Sequence, residues 1–530
     1  MKRFGLVLVL LLAAGMVFAA GSNQGAASSN AAKPSGLTAS GYPIVTNGSV
    51  TLRYWTVMNP AAAKFIKSYA ENPAYQEMEK RTGIKIDFIH PATGMEQEQF
   101  NLLMASGDLP DMIACTDYYK GGEFQGLLDG VFLDLTKLIP QYAPDYMKFI
   151  RDDAEFYREV SDDAGRIVAF YAYKPYGDPP FTRVVIRADV LKDIGKEAPK
   201  LISDYDAIFP LIAAKGIVPF MPSRNGYIKQ FVGTWDVIPG LYKDANGKLG
   251  FGQVQPGFKS YLETMNRWYA AGYISKDFPS LDVTQVNTLF DTKKIAMQIG
   301  PIVANYNRGE ALKFPVTSAP YPRLKAGQQL HHEDTNIWPV QGKGTMMASI
   351  SAKTKNPEAA VRWLNYGYTA AGSELMNWGV EGLNWSKVNG KNTYNDLMFH
   401  NPKFGLEEAA YIYKMHFAPK LTILDTIAHA NLLASPGALA SRFLWADDPN
   451  VDSSLNLPPY QLNQAEQSTR TRVLPQINTY VDEMTLKFIT GAEPLSRWDT
   501  YVQTVNSMGL ADLLKSEQGA YDRYLSKKLK

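Results

Sequence analysis

The sequence predicts an α/β chain, with two α/β regions followed by a helical C-terminal part. Three observations carry this reading. Short apolar runs of strand length alternate with stretches of helical apolar spacing, the order a β-α-β arrangement produces. Glycine and proline punctuate the ends of those runs. From Ile477 onward apolar residues recur only at helical intervals. The chain has 530 residues, room for two to four domains at about 150 residues each. Hydrophobic residues are 45% and charged residues 20%, which excludes a mostly disordered chain.

The elements follow in order. Met1-Lys2-Arg3 is a positive start and Phe4 to Val17 an apolar run, with Val17 and Ala19 at the −3 and −1 positions of a signal peptidase site. Residues 1–19 are therefore expected to be a signal peptide, and the protein to be exported to the periplasm or the cell surface. The alternative is an uncleaved anchor, but the run is shorter than the roughly 20 residues a spanning helix needs. Ala20-Gly21-Ser22-Asn23 comes next, so a lipid anchor has no cysteine to attach to. Residues 20–47 are rich in Gly, Ala, Ser, Asn and Pro and are expected to form a flexible linker.

Val50-Leu52-Tyr54 alternates with polar neighbours and predicts the first strand. A helical pattern spans Ala61 to Arg81, and Thr82-Gly83 stops it. Ile84-Ile86-Phe88 predicts a strand, Gln97 to Ser106 a helix, and Leu109 to Ala114 a third strand. In the second region, Ile167-Val168-Ala169-Phe170 and Val184-Val185-Ile186 read as strands. Tyr261, Leu262, Met265, Trp268 and Tyr269 form a helical stripe that Gly272 ends. Ile295 to Ile299 is a strand closed by Gly300-Pro301. Asn356-Pro357-Glu358 starts a helix. Ile477, Val481, Met484 and Phe488 share one helical face. Ser496 to Asp499 fits a capping box, Trp498, Tyr501, Val502 and Val505 follow at helical spacing, and Gly509 closes that helix.

Charge and motifs exclude several function classes. The 54 basic and 52 acidic residues give a net charge of +2, and loss of Lys2 and Arg3 with the leader brings the two signs level. No global field attracts nucleic acid. The single cysteine, Cys115, cannot form an intramolecular disulfide and reads as a buried structural residue. There is no Gly-x-Ser-x-Gly elbow, no His-Glu-x-x-His, no phosphate-binding loop and no Gly-x-Gly-x-x-Gly opening a helix. His331-His332-Glu333-Asp334 reads as a polar loop rather than a metal site. Lys243-Asp244-Ala245-Asn246-Gly247-Lys248 reads as a hairpin turn rather than a calcium loop. No metal and no cofactor is expected.

The aromatic content is 12%, led by 30 tyrosines, and aromatic faces stack on the C–H faces of sugar rings. Several aromatics sit where strands end, at Trp55, Tyr118, Tyr119 and Tyr306. In open α/β sheets the carboxyl ends of strands line the ligand crevice. Packing explains each of these residues equally well when it is taken alone.

Further segments carry a resemblance. They are Ala105-Ser106-Gly107-Asp108-Leu109-Pro110-Asp111, Tyr261 through Tyr269, Trp378-Gly379-Val380-Glu381-Gly382, Phe488-Ile489-Thr490-Gly491, Trp498-Asp499-Thr500-Tyr501 and Met508-Gly509-Leu510. In that order and spacing the chain resembles the family 1 extracellular solute-binding proteins of bacterial ABC importers, in their large oligosaccharide-binding branch. The resemblance implies a two-lobed periplasmic-binding-protein-like fold of type II. Its hinge-linked lobes would hold a ligand cleft between them, with a helical C-terminal extension. Lobe I would be residues 48–173 and 350–400, and lobe II residues 174–343 and 401–530. Val168–Tyr173 and Met346–Ile350 would be hinge strands.

Carried over by position, the resemblance implies ligand contacts from Trp55, Asn59, Asp117, Tyr118, Tyr173, Asn225, Trp235, Tyr306, Trp338, Trp378 and Glu381. It implies an oligosaccharide ligand, ABC transporter permease subunits as partners, a monomer, and no catalysis. The family's lipid-bearing cysteine and the calcium loop of some relatives are missing here. Two other readings stay open. One is an exported carbohydrate-active enzyme with Asp117 and Glu381 as its carboxylates. The other is an uptake protein for peptides or another polar solute. The ligand's charge is open too, since Arg183, Arg187 or Arg224 could pair with a uronate.

Overall fold

The computed structural model describes residues 36–175, 182–222, 227–332, 337–340, 344–415, 420–426, 428, 432, 436–446 and 448–529. The expected signal peptide at residues 1–19 and the linker up to residue 35 lie outside the described residues. In chain order the strands are β1 (Thr51–Trp55), β2 (Lys85–Ile89), β3 (Met112–Ala114), β4 (Ala169–Tyr171), β5 (Thr182–Arg187), β6 (Val218–Met221), β7 (Leu241–Lys243), β8 (Leu249–Phe251), β9 (Ile295–Pro301), β10 (Val316–Ser318), β11 (Leu330–His331), β12 (Met347–Ile350), β13 (Trp385–Val388), β14 (Lys391–Tyr394) and β15 (Val451–Asp452).

Two mixed sheets organise two lobes. The first has the order β2-β1-β3-β12-β4, and the second β10-β5-β9-β6. In the first, β2, β1 and β3 run parallel, with Tyr54 opposite both Phe88 and Met112, while β12 is antiparallel to β3 and β4. In the second, β5 and β9 are antiparallel and β6 joins β9 in parallel. The central strands β3, β5 and β12 are buried along their whole length. Strands buried on both faces lose the in-out alternation, as in the apolar runs Met112–Ala114 of β3 and Val184–Ile186 of β5.

Each lobe has its own core. Leu52, Tyr54, Ile113, Phe170 and Ala348 centre the first. Ile186, Phe220, Met297, Phe258 and Trp268 centre the second. The C-terminal helices complete the second core, as the apolar stripes require. Ile477, Val481, Met484 and Phe488 of the Gln464–Thr490 helix are buried there, as are Trp498, Tyr501 and Val505.

Several local expectations are corrected. The helical pattern over Ala61–Arg81 is split into Pro60–Ala63, Tyr69–Glu71 and Pro73–Thr82, because Asn72 precedes a proline and stays extended. The Ser496–Asp499 capping box does not form. A 3-10 turn occupies Leu495–Arg497 and the helix starts at Trp498 without a side-chain cap. Gly509 closes the Trp498 helix as expected: at φ 97° it is non-helical, and the chain kinks there before the separate helix Ala511–Ser526. The turn at Asn246-Gly247 does join β7 to β8, and Asp244 Oδ1 accepts from Asn246 N at 2.8 Å and Lys248 N at 2.9 Å.

Two domain boundaries move. Residues 36–47 are not a linker. Ile44 and Val45 are buried in the first core, Ile44 N donates to Thr82 O at 2.7 Å, and Arg362 donates to Thr38 O at 2.6 Å. Two apolar side chains in a polar stretch were enough to dock it. Residues 401–415 and 420–424 belong to the first lobe, where Tyr411, Met415 and Leu421 join the core. The chain returns to the second lobe by the Pro436–Ala446 helix, whose Ser441 Oγ lies 2.6 Å from Tyr306 Oη.

Three crossings between the lobes meet beside β4. Tyr173 pairs with both Val340 and Ile423. Its N–H donates to Thr422 O at 3.0 Å and its carbonyl accepts from Leu424 N at 2.8 Å. Lys174 N donates to Pro339 O at 2.7 Å. The hinge therefore lies just past the ends of Val168–Tyr173 and Met346–Ile350, with a third segment at Ile423 that the expected boundaries had hidden.

Candidate ligand-binding cleft

The carboxyl ends of β1 and β3 open next to this hinge. After β3 the chain turns sharply at Cys115, held at φ 56°, into the short helix Thr116–Tyr118. Cys115 N donates to Gly344 O at 2.9 Å, and Asp117 Oδ1 accepts from Gly344 N at 3.0 Å. Asp117 is thus anchored to the second crossing. Tyr118 is half-buried, its ring edge-on to Phe100 at 5.7 Å. Cys115 itself is buried, and burial followed by the Asp117 and Glu96 charges pushes its thiol pKa up, away from nucleophile chemistry.

Two residues from the end of β1 are used structurally. Trp55 is 3% exposed and packs edge-on to Phe100 at 5.6 Å, so its ring is spent on the core. Asn59 caps the next helix, accepting from Ala61 N at 2.8 Å, and its backbone N–H donates to Tyr69 Oη at 3.0 Å. Tyr173 is likewise internal. Its ring lies between Phe149 at 4.6 Å and Phe156 at 4.8 Å, and its hydroxyl donates to Asp153 at 3.1 Å.

A second group stands at the third crossing. Trp378, half-buried at the end of the Ala370–Trp378 helix, donates from Nε1 to Asp425 Oδ2 at 3.2 Å. Its ring stacks on Tyr394 at 4.8 Å. Tyr394 Oη in turn accepts from Lys414 Nζ at 2.8 Å. Lys414 is fully buried, and burial together with Lys420 drives its ammonium pKa well below the usual lysine range, against the opposing charge of Asp425. Glu381 sits exposed three residues beyond Trp378, in a turn that returns to Trp385. The structure therefore gathers Asp117, Tyr118, Trp378 and Asp425 around two crossings.

Asp425, Tyr394 and Lys414 were not legible beforehand. The one available signal was a lone lysine inside the apolar run Tyr411-Ile412-Tyr413-Lys414-Met415, since lysine is almost never fully buried unless paired.

In the second lobe the expected residues are dispersed. Trp235 packs edge-on to Tyr261 at 5.6 Å, on the core side. Tyr306 rests against the Pro436–Ala446 helix. Trp338 is half-buried, two residues before the Val340 crossing. Asn225 lies outside the described residues, as do Arg224, Glu333 and Asp334. Arg187 is committed to Asp189 and to Lys293 O at 3.1 Å, and Arg183 contacts His332 and Thr182 O.

One buried carboxyl faces the hinge from the first lobe. Glu159 Oε2 accepts from Val340 N at 3.2 Å, and Oε1 has no hydrogen-bond partner among the described residues. Burial, then the Glu155 charge, pushes its pKa up to about 9; Val340 N–H, Asp153 and Lys174 contribute less. The native state holds this proton where the unfolded chain has released it, so stability falls as pH rises from the unfolded value toward about 9. Glu159→Gln is expected to be more stable than wild type at pH 8, on the order of 2 kcal/mol, with the gap closing below pH 5. Urea midpoints over that range measure it, and parallel pH profiles for the two chains would refute it.

Comparison with known proteins places this architecture. The family described as bacterial extracellular solute-binding protein matches residues 62–374. The polygalacturonan/rhamnogalacturonan-binding protein YtcQ of Bacillus subtilis is 21% identical, covering 84% of this chain and 88% of that protein. The fructooligosaccharide ABC transporter substrate-binding protein FusA of Streptococcus pneumoniae is 23% identical over 99% of both chains. Among solved structures, the alginate-binding protein AlgQ2 without calcium ion superposes with a TM-score of 0.67 at 22% identity, covering 90% of this chain and 99% of that one. The family match extends across both sheets, from before β2 to past β12, so this chain belongs to the bacterial extracellular solute-binding protein family.

Proposed function

We propose that this protein is the extracytoplasmic receptor of an ABC importer and captures an oligosaccharide by closure of its two lobes. The observation that carries the reading is two separately cored lobes joined by three hydrogen-bonded crossings, with aromatic and carboxylate side chains gathered beside them. The relatives' names, one polygalacturonan/rhamnogalacturonan-binding and one a fructooligosaccharide transporter's substrate-binding protein, support sugar as the ligand class. The side chains perform binding without chemistry. Trp378 and Tyr118 offer ring faces to sugar C–H groups, with Trp338 beside the crossing. Asp117, Asp425 and Glu381 accept from hydroxyls, and Asn225 is assigned to the same task by position. A hydroxyl buried without a partner costs roughly 1–3 kcal/mol, so these groups set selectivity. A ligand touching both lobes shifts the population toward the closed state. The closed form then docks permease subunits as a monomer after export.

The test is unfolding of the mature protein against neutral and uronate oligosaccharides, with chromatography of the mixture. A ligand at 100 times its dissociation constant is expected to add about 2.7 kcal/mol, with no product formed. Trp378→Ala is expected to weaken binding at least about tenfold, on the scale of one lost aromatic contact, with an unchanged circular dichroism spectrum. Absence of any shift across the panel, or appearance of a cleavage product, overturns the reading.

A further inference from the structure

The C-terminal turn of the Ala511–Ser526 helix belongs by sequence and packing to the second lobe, yet its polar groups end on the first. Lys527 Nζ donates to Ser161 O at 2.6 Å and to Arg158 O at 3.1 Å. Tyr524, 1% exposed, donates its hydroxyl to Glu155. Arg523 Nε donates to Asp163 Oδ2 at 2.8 Å, while its other nitrogens hold Glu466 of the second lobe at 2.5 and 2.6 Å. Gln461 adds a bond to Ser161 O at 3.3 Å. The receiving segment is the helix Ala154–Val160 and the loop after it. That segment also touches the hinge, through Asp153 to Tyr173 and Glu159 to Val340.

We propose that Tyr524 and Lys527 are positioning residues for ligand capture, forming a clamp that holds the two lobes in one relative orientation before ligand arrives. The physical reason is the setting of the contact. Lys527 is 8% exposed, so its ammonium has been taken out of water and is held by two carbonyls of the other lobe and by Asp163 Oδ1 at 3.9 Å. Rotation about the crossings at Tyr173, Val340 and Ile423 strains these bonds, because they join the lobes through a segment other than the covalent connections. The clamp therefore weights the conformer from which closure begins, and apparent affinity scales with the fraction of competent conformer. This rests on the reading that the lobes close on a ligand, but the clamp has a readout of its own.

Spin labels on cysteines placed at the exposed positions Lys148 and Lys215, one in each lobe, report the inter-lobe distance without any sugar. Cys115 is buried and leaves the labelling specific. The wild type is expected to give one narrow distance. Tyr524→Phe/Lys527→Met, which keeps side-chain bulk, is expected to broaden or displace it and to change the Kd for a bound oligosaccharide roughly tenfold. Asp163→Ala removes the contact to Arg523 from a more exposed side of the same junction, and is expected to move the distance in the same sense if the double variant fails to fold. Identical distributions for wild type and a folded variant overturn the clamp, even when sugar binds. A displaced distribution with no sugar bound across the panel supports the clamp and sinks the oligosaccharide reading alone.

Discussion

Trp268→Ala is expected to lose about 3–5 kcal/mol of stability, the cost of emptying a large aromatic site in a core that relaxes only in part. Trp268 is fully buried in the second lobe, with Phe209 at 5.0 Å, Tyr205 at 6.0 Å, Phe220 at 6.2 Å and Phe231 at 6.4 Å. Its Nε1 also donates to Asp206 Oδ1 at 2.7 Å. Alanine removes the ring contacts and one bond to a carboxylate that Arg267 continues to hold at 2.7 Å. Trp268→Phe keeps most of the packing and is expected to cost less than half as much. Hydrogen exchange locates the damage. Protection should fall in β6, β9 and the Pro256–Ala270 helix, and stay near wild type in β1 and β3. An equal loss in both lobes would show that the cores are not energetically separate.

Arg470→Met is expected to destabilise by about 3–5 kcal/mol, because it leaves a buried carboxylate without its cation. The Glu517 side chain is 1% exposed, and Arg470 meets both its oxygens in a forked pair, from Nε to Oε1 at 2.6 Å and from the terminal nitrogen to Oε2. Tyr460 Oη donates to Oε2 at 2.8 Å and remains in the variant. Arg470→Met with Glu517→Leu removes both charges and is expected to recover most of the stability, since an apolar replacement of a buried pair is often neutral. A double variant no better than the single would place the cost in lost arginine packing against Tyr460, whose ring lies 5.7 Å from the guanidinium.

The boundaries that failed share one cause. Residues 36–47 look like a tether by composition, yet Ile44 and Val45 find a slot beside Thr82. Residues 401–415 and 420–424 carry no mark of lobe membership; their lobe was decided by which core Tyr411, Met415 and Leu421 could reach. Strand-end position pointed to Asp117 and Tyr118, which the structure places in the short helix just after β3. It misled at Trp55, where the last strand residue points its ring inward onto Phe100. Period 2 reverses the facing of a side chain with every residue, so a shift of one position separates a core residue from a cleft residue.

By itself the sequence determined the fold class and the elements with the strongest apolar patterns. Apolar alternation marked β1 and β2, continuous apolar runs marked β3, β5 and β9, and helical stripes marked the Pro256–Ala270 and Gln464–Thr490 helices. These are local patterns, and local sterics and burial periodicity are enough to write them. The tertiary structure alone decided that Asp117 meets Gly344, that Trp378 meets Asp425 and Tyr394, and that Lys527 ends on the opposite lobe at Ser161. Each of these contacts joins segments far apart in the chain, and their side chains carry no local signal of a partner. They form because two cores, once packed, bring three crossings and one C-terminal turn to the same junction.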